Sequence, residues 1–222
     1  MKKIISVILS AAILFSLVAV GFTANADDAT TTFAVASDLH YVEPREELDG
    51  PIDDPIYWYA NRRAAMEDES SFIIDEFLRQ CAEDDKVEFV LIPGDIVNDG
   101  RIVVQQHLDM AEKFRKFEAE TGKPIYVING NHDNGAADID FKYSDFIDNY
   151  YQFGYDEAIA TMDGNCSYVA ELNDEYRLIA VDSCDPTKST EDGMTADRVD
   201  WVLEQAAKAK AETETETTAQ AE

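Results

Sequence analysis

The chain has 222 residues, of which 45% are apolar and 10% aromatic, enough for one substantial domain with a buried core. Its 46 acidic residues far outnumber its 18 basic residues, and the formal net charge is -28. Such a surface repels the phosphates of nucleic acids and of anionic membranes, so we expect neither as a partner. If the substrate is an anionic small molecule, the local charge must be reversed, and bound metal ions do that best.

Residues 1–26 have the pattern of a signal peptide. Two lysines precede an uncharged apolar run over residues 4–20, and the A-x-A sequence at residues 24–26 predicts cleavage before Asp27. We therefore expect an exported protein, extracellular or in the cell envelope, with no membrane segment after cleavage. The short lysine-led leader is typical of a bacterium. The alternative is an uncleaved anchor helix, for which the apolar run is short.

The region after the leader alternates between strand and helix patterns, and we predict one domain over residues 27–210. The predicted strands are residues 32–37, 87–93 and 125–128, and the predicted helices are residues 67–81 and 102–120. A long polar loop at residues 41–66 follows the first strand. The near-continuous apolar runs of the strands indicate a parallel sheet covered on both faces, which makes the fold class α/β.

A different pattern follows residue 140. It consists of a helix at residues 145–153, a hairpin of strands at 167–172 and 176–182, and a helix at 195–210. Residues 211–222 lack apolar periodicity and are predicted to be a disordered tail. We expect the aromatic residues between 141 and 155 to pack the core rather than to face a substrate.

Three cysteines are spread along the chain, at spacings that match no zinc motif. Cys81 lies on the apolar face of a predicted helix and is expected in the core. Cys166 and Cys184 border the two strands of the predicted hairpin. They either form a disulfide, which export would permit, or stay as two buried thiols.

Polar side chains follow each of the first three predicted strands. These side chains are Asp38 and His40 after the first strand, Asp95 and Asn98 after the second, and Asn131, His132 and Asp133 after the third. Because the carboxyl ends of parallel strands lie at one edge of the sheet, all of them are expected to meet there. Carboxylate and imidazole ligands together suit a divalent metal ion such as Mn, Fe or Zn.

The succession D-x-H, GD-x-x-N-x-G and GNHD resembles the calcineurin-like metallophosphoesterases, and the likeness covers residues 33–208. The segments "ASDLHY" and "NCSYVAEL" resemble the exported bacterial branch of that family. The resemblance implies an α/β/β/α sandwich that hydrolyses phosphomonoesters or phosphodiesters with water activated by a pair of metal ions. It also implies that Asp38 and His40 bind the first metal, that Asp95 bridges both, and that Asn131 binds the second.

The same resemblance assigns the proton chemistry to the third loop. His132 would donate a proton to the leaving oxygen or stabilise its charge. Asn98 occupies a position that is usually Asp in the phosphoprotein phosphatase branch, and it would orient His132 through a hydrogen bond. Asp133 or Asp99 would help to stabilise the charged form of His132.

The family completes its site with later histidines, whereas this chain has three histidines in all. Besides His40 and His132 there is His107, which lies within a predicted helix and is expected at its surface, while Leu108 is expected on the apolar face. The resemblance thus leaves two alternatives: a working phosphoesterase, or a non-catalytic remnant, incomplete at its C-terminal end, with at most one weak metal site. A third hypothesis, an acidic Ca²⁺-binding module, lacks an EF-hand ligand pattern.

Overall fold

The computed structural model describes residues 30–43, 69–134, 141–184 and 193–220, with side chains up to residue 212. The predicted signal peptide and nearly all of the predicted loop at residues 41–66 lie outside these ranges. Within them, no helix combines the length and the apolar character that crossing a membrane requires.

The first sheet has three parallel strands, β1 (Phe33–Val35), β2 (Phe89–Pro93) and β3 (Ile125–Ile128), in the order β1-β2-β3. The register places Phe33 beside Phe89 and Val90 beside Ile125. The parallel arrangement confirms the prediction from the apolar strand runs. It also brings the carboxyl ends of all three strands to one edge of the sheet, where we predicted that the polar residues after the strands would meet.

Two helices connect these strands, α1 (Ser70–Glu83) and α2 (Val104–Thr121). Gly122 ends α2 in the left-handed conformation, with φ 70°, as expected for a glycine at this position. The helices and strands share one buried apolar cluster, whose central members are Ile74, Leu78, Met110 and Phe114 from the helices and Val90, Ile92, Ile125 and Val127 from the strands.

The second sheet is antiparallel and has the order β4-β5-β6, with β4 at Ala160–Thr161, β5 at Tyr168–Glu171 and β6 at Arg177–Ala180. Strands β5 and β6 form the predicted hairpin. The sequence did not predict β4, because two residues are too few to show a periodic pattern. Two sheets with helices confirm the α/β sandwich.

Two helical segments flank the second sheet and differ from the prediction. The predicted helix at residues 145–153 is a short helix, α3 (Tyr143–Asn149), followed by a π-type turn (Tyr151–Tyr155) in which Gly154 has φ 104°. The last helix, α4 (Ala196–Gln220), continues over residues 211–220, for which we predicted disorder. An ion pair from Arg177 on β6 to Glu212, at 2.7 Å, connects the start of this continuation to the sheet.

Most of the aromatic residues between 141 and 155 pack inside the protein, as predicted, whereas Tyr151 is 54% exposed. Phe141, Phe146, Tyr150, Phe153 and Tyr155 are all buried. All three cysteines are free thiols, so the disulfide between Cys166 and Cys184 does not form. Cys81 is buried in the core, as expected.

The prediction that His107 lies on the surface of α2 is wrong. Its side chain is 0% exposed, whereas the neighbouring Leu108, expected in the core, is 47% exposed. The imidazole ring stacks on Phe141 with 4.0 Å between ring centroids. Its Nε2–H donates to the carbonyl of Asp133 at 2.8 Å, and the hydroxyl of Tyr150 donates to Nδ1 at 3.0 Å. These partners satisfy both ring nitrogens, which makes burial of the imidazole tolerable.

Burial also makes the stability of the fold depend on the protonation of His107. Burial lowers the pKa of His107 to about 4. The polar groups that face the ring are the hydroxyl of Tyr150 and the main chains of Gly100 and Asp133, and none of them offers a negative charge to stabilise an imidazolium. An unfolded chain, with a histidine pKa of about 6.5, therefore takes up a proton at pH values where the folded chain does not. Stability is lost as the pH falls from about 6.5 to about 4.

We expect wild type to lose about 3 kcal/mol more free energy of unfolding than His107→Gln between about pH 7 and about pH 4. The measurement is urea denaturation of both proteins in EDTA at each pH. All other titrating groups are common to both proteins, so the difference between their pH slopes belongs to His107. Equal slopes would show that His107 is not buried in its neutral form.

Candidate metal centre

The loops that follow β1 and β2 stay hydrogen-bonded to each other beyond the ends of the strands. The N–H of Asp38 donates to the carbonyl of Gly94 at 3.2 Å, and the N–H of His40 donates to the carbonyl of Asp95 at 3.0 Å. The N–H of Asn98 donates back to the carbonyl of Tyr41 at 3.0 Å. This continued pairing fixes the D-x-H segment against the G-D segment, although neither is a regular strand.

Asp38, His40 and Asp95 share an unusual backbone conformation. Their φ angles are 57°, 44° and 49°, and no other non-glycine residue in the described part of the chain has a positive φ. For an L-residue this conformation costs on the order of 1–3 kcal/mol, and residues that keep it cluster at functional sites. Here the conformation turns three potential ligands toward one point.

The side chains of these residues converge without forming hydrogen bonds to one another. His40 Nε2 lies 3.7 Å from Asp95 Oδ2 and 3.9 Å from Asp38 Oδ1. Both distances exceed those of a hydrogen bond. His40 Nδ1 is buried and has no hydrogen-bond partner among the described residues. The spacing between Nε2 of His40 and the two carboxylate oxygens fits a divalent cation lying between these groups.

The third loop adds His132 to this group. Ligand atoms of His40, Asp95 and His132 all lie within 4.8 Å of one another. The N–H of His132 donates to Asp95 Oδ1 at 2.9 Å, so that oxygen is held by the main chain while Oδ2 faces His40. The rings of His40 and His132 meet edge to face, with 4.8 Å between their centroids.

A hydrogen bond to the main chain sets the tautomer of His132. Its Nδ1 lies 2.7 Å from the carbonyl oxygen of Asn98. Because a carbonyl only accepts, Nδ1 must carry the proton in the neutral ring. The side chain of Asn98 points elsewhere and donates to the carboxylate of Asp99 at 2.9 Å. The hydrogen bond between residue 98 and His132 is thus made by the main-chain carbonyl, and the Asn98 side chain, which we expected to orient His132, bonds to Asp99 instead.

Asp133 has a different position from the one predicted, in which it would support the charge of His132. It is 0% exposed, and its two carboxylate oxygens accept the N–H groups of Val97, at 3.0 Å, and Gly130, at 2.7 Å. Burial raises the pKa of this carboxyl to about 8. Asp133 therefore ties the loop after β2 to the loop after β3.

The two outer members of the predicted site are more open to solvent. The side chain of Asp38 is 66% exposed, and the hydroxyl of Ser37 donates to its second oxygen. Asn131 is half-buried and adjoins His132 in the third loop. All seven predicted site residues thus lie on the three loops at the carboxyl edge of the first sheet.

The sequence analysis missed Asp182, which follows β6 and is fully buried. Its carboxylate accepts from the side chain of Asn129 at 3.2 Å and from the N–H of Cys184 at 2.8 Å. It thereby connects the second sheet to the base of the third loop. The signal was an aspartate after an apolar strand, the same pattern that identified Asp38 and Asp95.

The loops after β2 and β3 approach so closely that glycine is needed in both. A Cβ at Gly94, where φ is 90°, would lie 3.0 Å from Cα and N of Gly130. A Cβ at Gly130 would overlap the N and Oδ1 atoms of Asp95. The two glycines therefore set the position of the Asp95 carboxylate.

The model of the calcineurin-like phosphoesterase family matches residues 31–211. The chain belongs to that family. The match covers most of the chain and confirms the resemblance drawn from the D-x-H, GD-x-x-N-x-G and GNHD segments. The calcineurin-like phosphoesterases are metal-dependent hydrolases of phosphoesters, in agreement with the ligand cluster at the edge of the sheet. No curated protein matches the chain.

We expect Gly130→Ala to weaken Mn²⁺ binding on the order of 10- to 100-fold, because the added methyl displaces Asp95. Titration calorimetry with Mn²⁺ measures this effect. Gly122→Ala is the matched control, since Gly122 also has a positive φ but nothing lies within 4 Å of an added Cβ. The control should cost about 1 kcal/mol of stability and leave Mn²⁺ affinity unchanged. A Gly130→Ala protein that binds Mn²⁺ like wild type would contradict the assigned position of Asp95.

Proposed function

We propose that this phosphoesterase hydrolyses small phosphomonoesters or phosphodiesters with the help of a pair of divalent ions, Mn, Fe or Zn. The observation that carries the proposal is the convergence of Asp38, His40 and Asp95, each in a strained backbone conformation. These three would hold the first ion, and Asp95 with Asn131 the second. When bound, the ions would cancel the charge of the phosphoester and acidify the attacking water.

Two side chains of the protein would have separate roles: Asp95 would bind the ions in a fixed orientation, and His132 would transfer a proton. Asp95 keeps one oxygen on the N–H of His132 and turns the other toward His40, so its orientation is set before any ligand arrives. Because Nδ1 of His132 is bonded to the carbonyl of Asn98, Nε2 would be the nitrogen that exchanges a proton with the substrate. In its charged form His132 would give that proton to the leaving oxygen.

A non-catalytic remnant is the second candidate, and the histidine inventory is what favours it. The chain has three histidines, and both ring nitrogens of His107 are engaged in packing the core. That leaves His40 and His132 for all imidazole chemistry at the site. Under this hypothesis the protein holds at most one weakly bound ion and does not turn over a phosphoester.

We also propose that the protein is exported. The support is the lysine-led apolar run that ends in an A-x-A sequence, all outside the described residues. We expect protein expressed from the full sequence in a bacterium to be recovered outside the cytoplasm, beginning at Asp27. N-terminal sequencing measures this directly, and a cytoplasmic chain that retains the apolar run would contradict export.

The decisive test of function compares Asp95→Asn with His132→Gln in Mn²⁺-loaded protein. Asp95→Asn should lose both bound metal and hydrolysis of an aryl phosphoester, because it removes the shared carboxylate. His132→Gln should keep its metal and lose about 100- to 10,000-fold in turnover. The loss should be larger for an alkyl than for an aryl phosphoester, because the poorer leaving group needs the proton more. Metal content by mass spectrometry and steady-state kinetics provide both readouts.

The control for this test is Asp85→Asn, which makes the same chemical change at an exposed turn. It should behave as wild type. Full metal content in Asp95→Asn would refute the assigned site, and metal loss in His132→Gln would make His132 a ligand instead of a proton donor. Wild type with one weakly held ion and no turnover would establish the remnant.

A further inference from the structure

Helix α2 carries two consecutive polar residues, Gln106 and His107, that are completely buried in its first turns. Both side chains are 0% exposed, while the flanking residues Gln105 and Leu108 are exposed. Buried polar groups are costly unless they are hydrogen-bonded. The hydrogen-bond partners of Gln106 and His107 therefore indicate the role of these two side chains.

Gln106 uses both ends of its amide. Its Oε1 accepts the N–H of Asp99 at 2.8 Å, and its Nε2 donates to Oε2 of Glu43 at 2.7 Å. The N–H of Asp99 belongs to the same peptide group as the carbonyl of Asn98, and that carbonyl accepts the Nδ1–H of His132. Gln106 thus holds the very peptide group on which the ring of His132 is fixed.

His107 contacts the main chain on the C-terminal side of His132. Its Nε2–H donates to the carbonyl of Asp133, the residue after His132, and the hydroxyl of Tyr150 fixes the other ring nitrogen. A Cβ at Gly100 would overlap Nε2 of His107, so the ring also packs directly against the loop that carries Asp99. Successive helical residues point about 100° apart, which lets one turn reach both loops.

We propose that Gln106 and His107 are positioning residues for His132, Gln106 through the peptide group that binds its ring and His107 through the main chain that follows it. The inference rests on the proposed function, in which His132 exchanges a proton with the substrate through Nε2. That role requires the Nδ1–H tautomer, and the carbonyl that selects this tautomer is placed by Gln106. Among the described residues, neither side chain forms a hydrogen bond with Asp38, His40, Asp95 or Asn131.

The test measures the tautomer of His132 by imidazole ¹⁵N NMR in metal-free protein at a pH where the rings are neutral. The chain has three histidines, so the spectrum holds three pairs of ring nitrogens. Gln106→Met keeps the size of the side chain and removes both hydrogen bonds. Gln105→Met is the matched control, since Gln105 is exposed and its side-chain amide donates to Asp109 on the same helix.

We expect His132 to be in the Nδ1–H form in wild type and in Gln105→Met. In Gln106→Met we expect loss of that form in favour of Nε2–H, the tautomer that an unconstrained side chain prefers. A folded Gln106→Met protein whose His132 keeps the wild-type tautomer would overturn the proposal. A wild-type His132 in the Nε2–H form would overturn it as well.

A second pair of variants decides the question if Gln106→Met does not fold. His107→Gln keeps a donor for the carbonyl of Asp133, whereas His107→Phe keeps the ring stacking on Phe141 and has no donor. The Nδ1–H form of His132 should persist in the first variant and decline in the second, and equal tautomer populations would overturn the proposal. Because the tautomer is read without metal or substrate, these results stand apart from turnover. An inactive wild type with the expected tautomer shifts would refute the phosphoesterase function and keep the positioning role.

Discussion

The close approach of Gly94 and Gly130 is the constraint on which the site depends. It brings the loops after β2 and β3 near enough for the N–H of His132 to reach one oxygen of Asp95. With that oxygen fixed, the other faces His40 across a gap too wide for a hydrogen bond. The carboxylate of Asp133 connects the same loops, because it accepts one hydrogen bond from the N–H of Val97 and one from the N–H of Gly130. Together these bonds offset the strain at Asp95, which no isolated loop of this sequence would bear.

The electrostatics of the molecule explain why a cation is needed at this point. The formal charge is -28, and two of the acidic residues, Asp38 and Asp95, lie at the site beside the imidazole of His40. An anionic substrate would be repelled by such a surface unless positive charge were placed between the two. The same acidic field draws divalent cations toward the protein. The overall charge is therefore consistent with a metal-dependent hydrolase of small phosphoesters.

The sequence correctly predicted the strands and helices whose local apolar pattern shows which of their residues are buried. Apolar runs that end in Asp or Asn marked the parallel strands and the edge where the site lies. It failed where the environment comes from distant segments: His107 is buried by Phe141 and Tyr150, more than thirty positions along the chain, and Leu108 is exposed in its place. It also could not say which atom of a residue acts. Asn98 was expected to use its amide and uses its carbonyl instead.

The three histidines illustrate how the fold gives one residue type different chemistry. His40 faces two carboxylates with Nε2, and its Nδ1 has no hydrogen-bond partner among the described residues, which suits a metal ligand. His132 has Nδ1 fixed on a carbonyl, which suits proton exchange at Nε2. His107 is fully buried with both ring nitrogens hydrogen-bonded, which suits neither role and makes it a structural residue. Since His107 and Gln106 adjoin on one helix turn, the packing of the core and the orientation of His132 are set by the same few hydrogen bonds. A substitution of a buried polar residue on α2 is therefore expected to alter the orientation of His132 at the site.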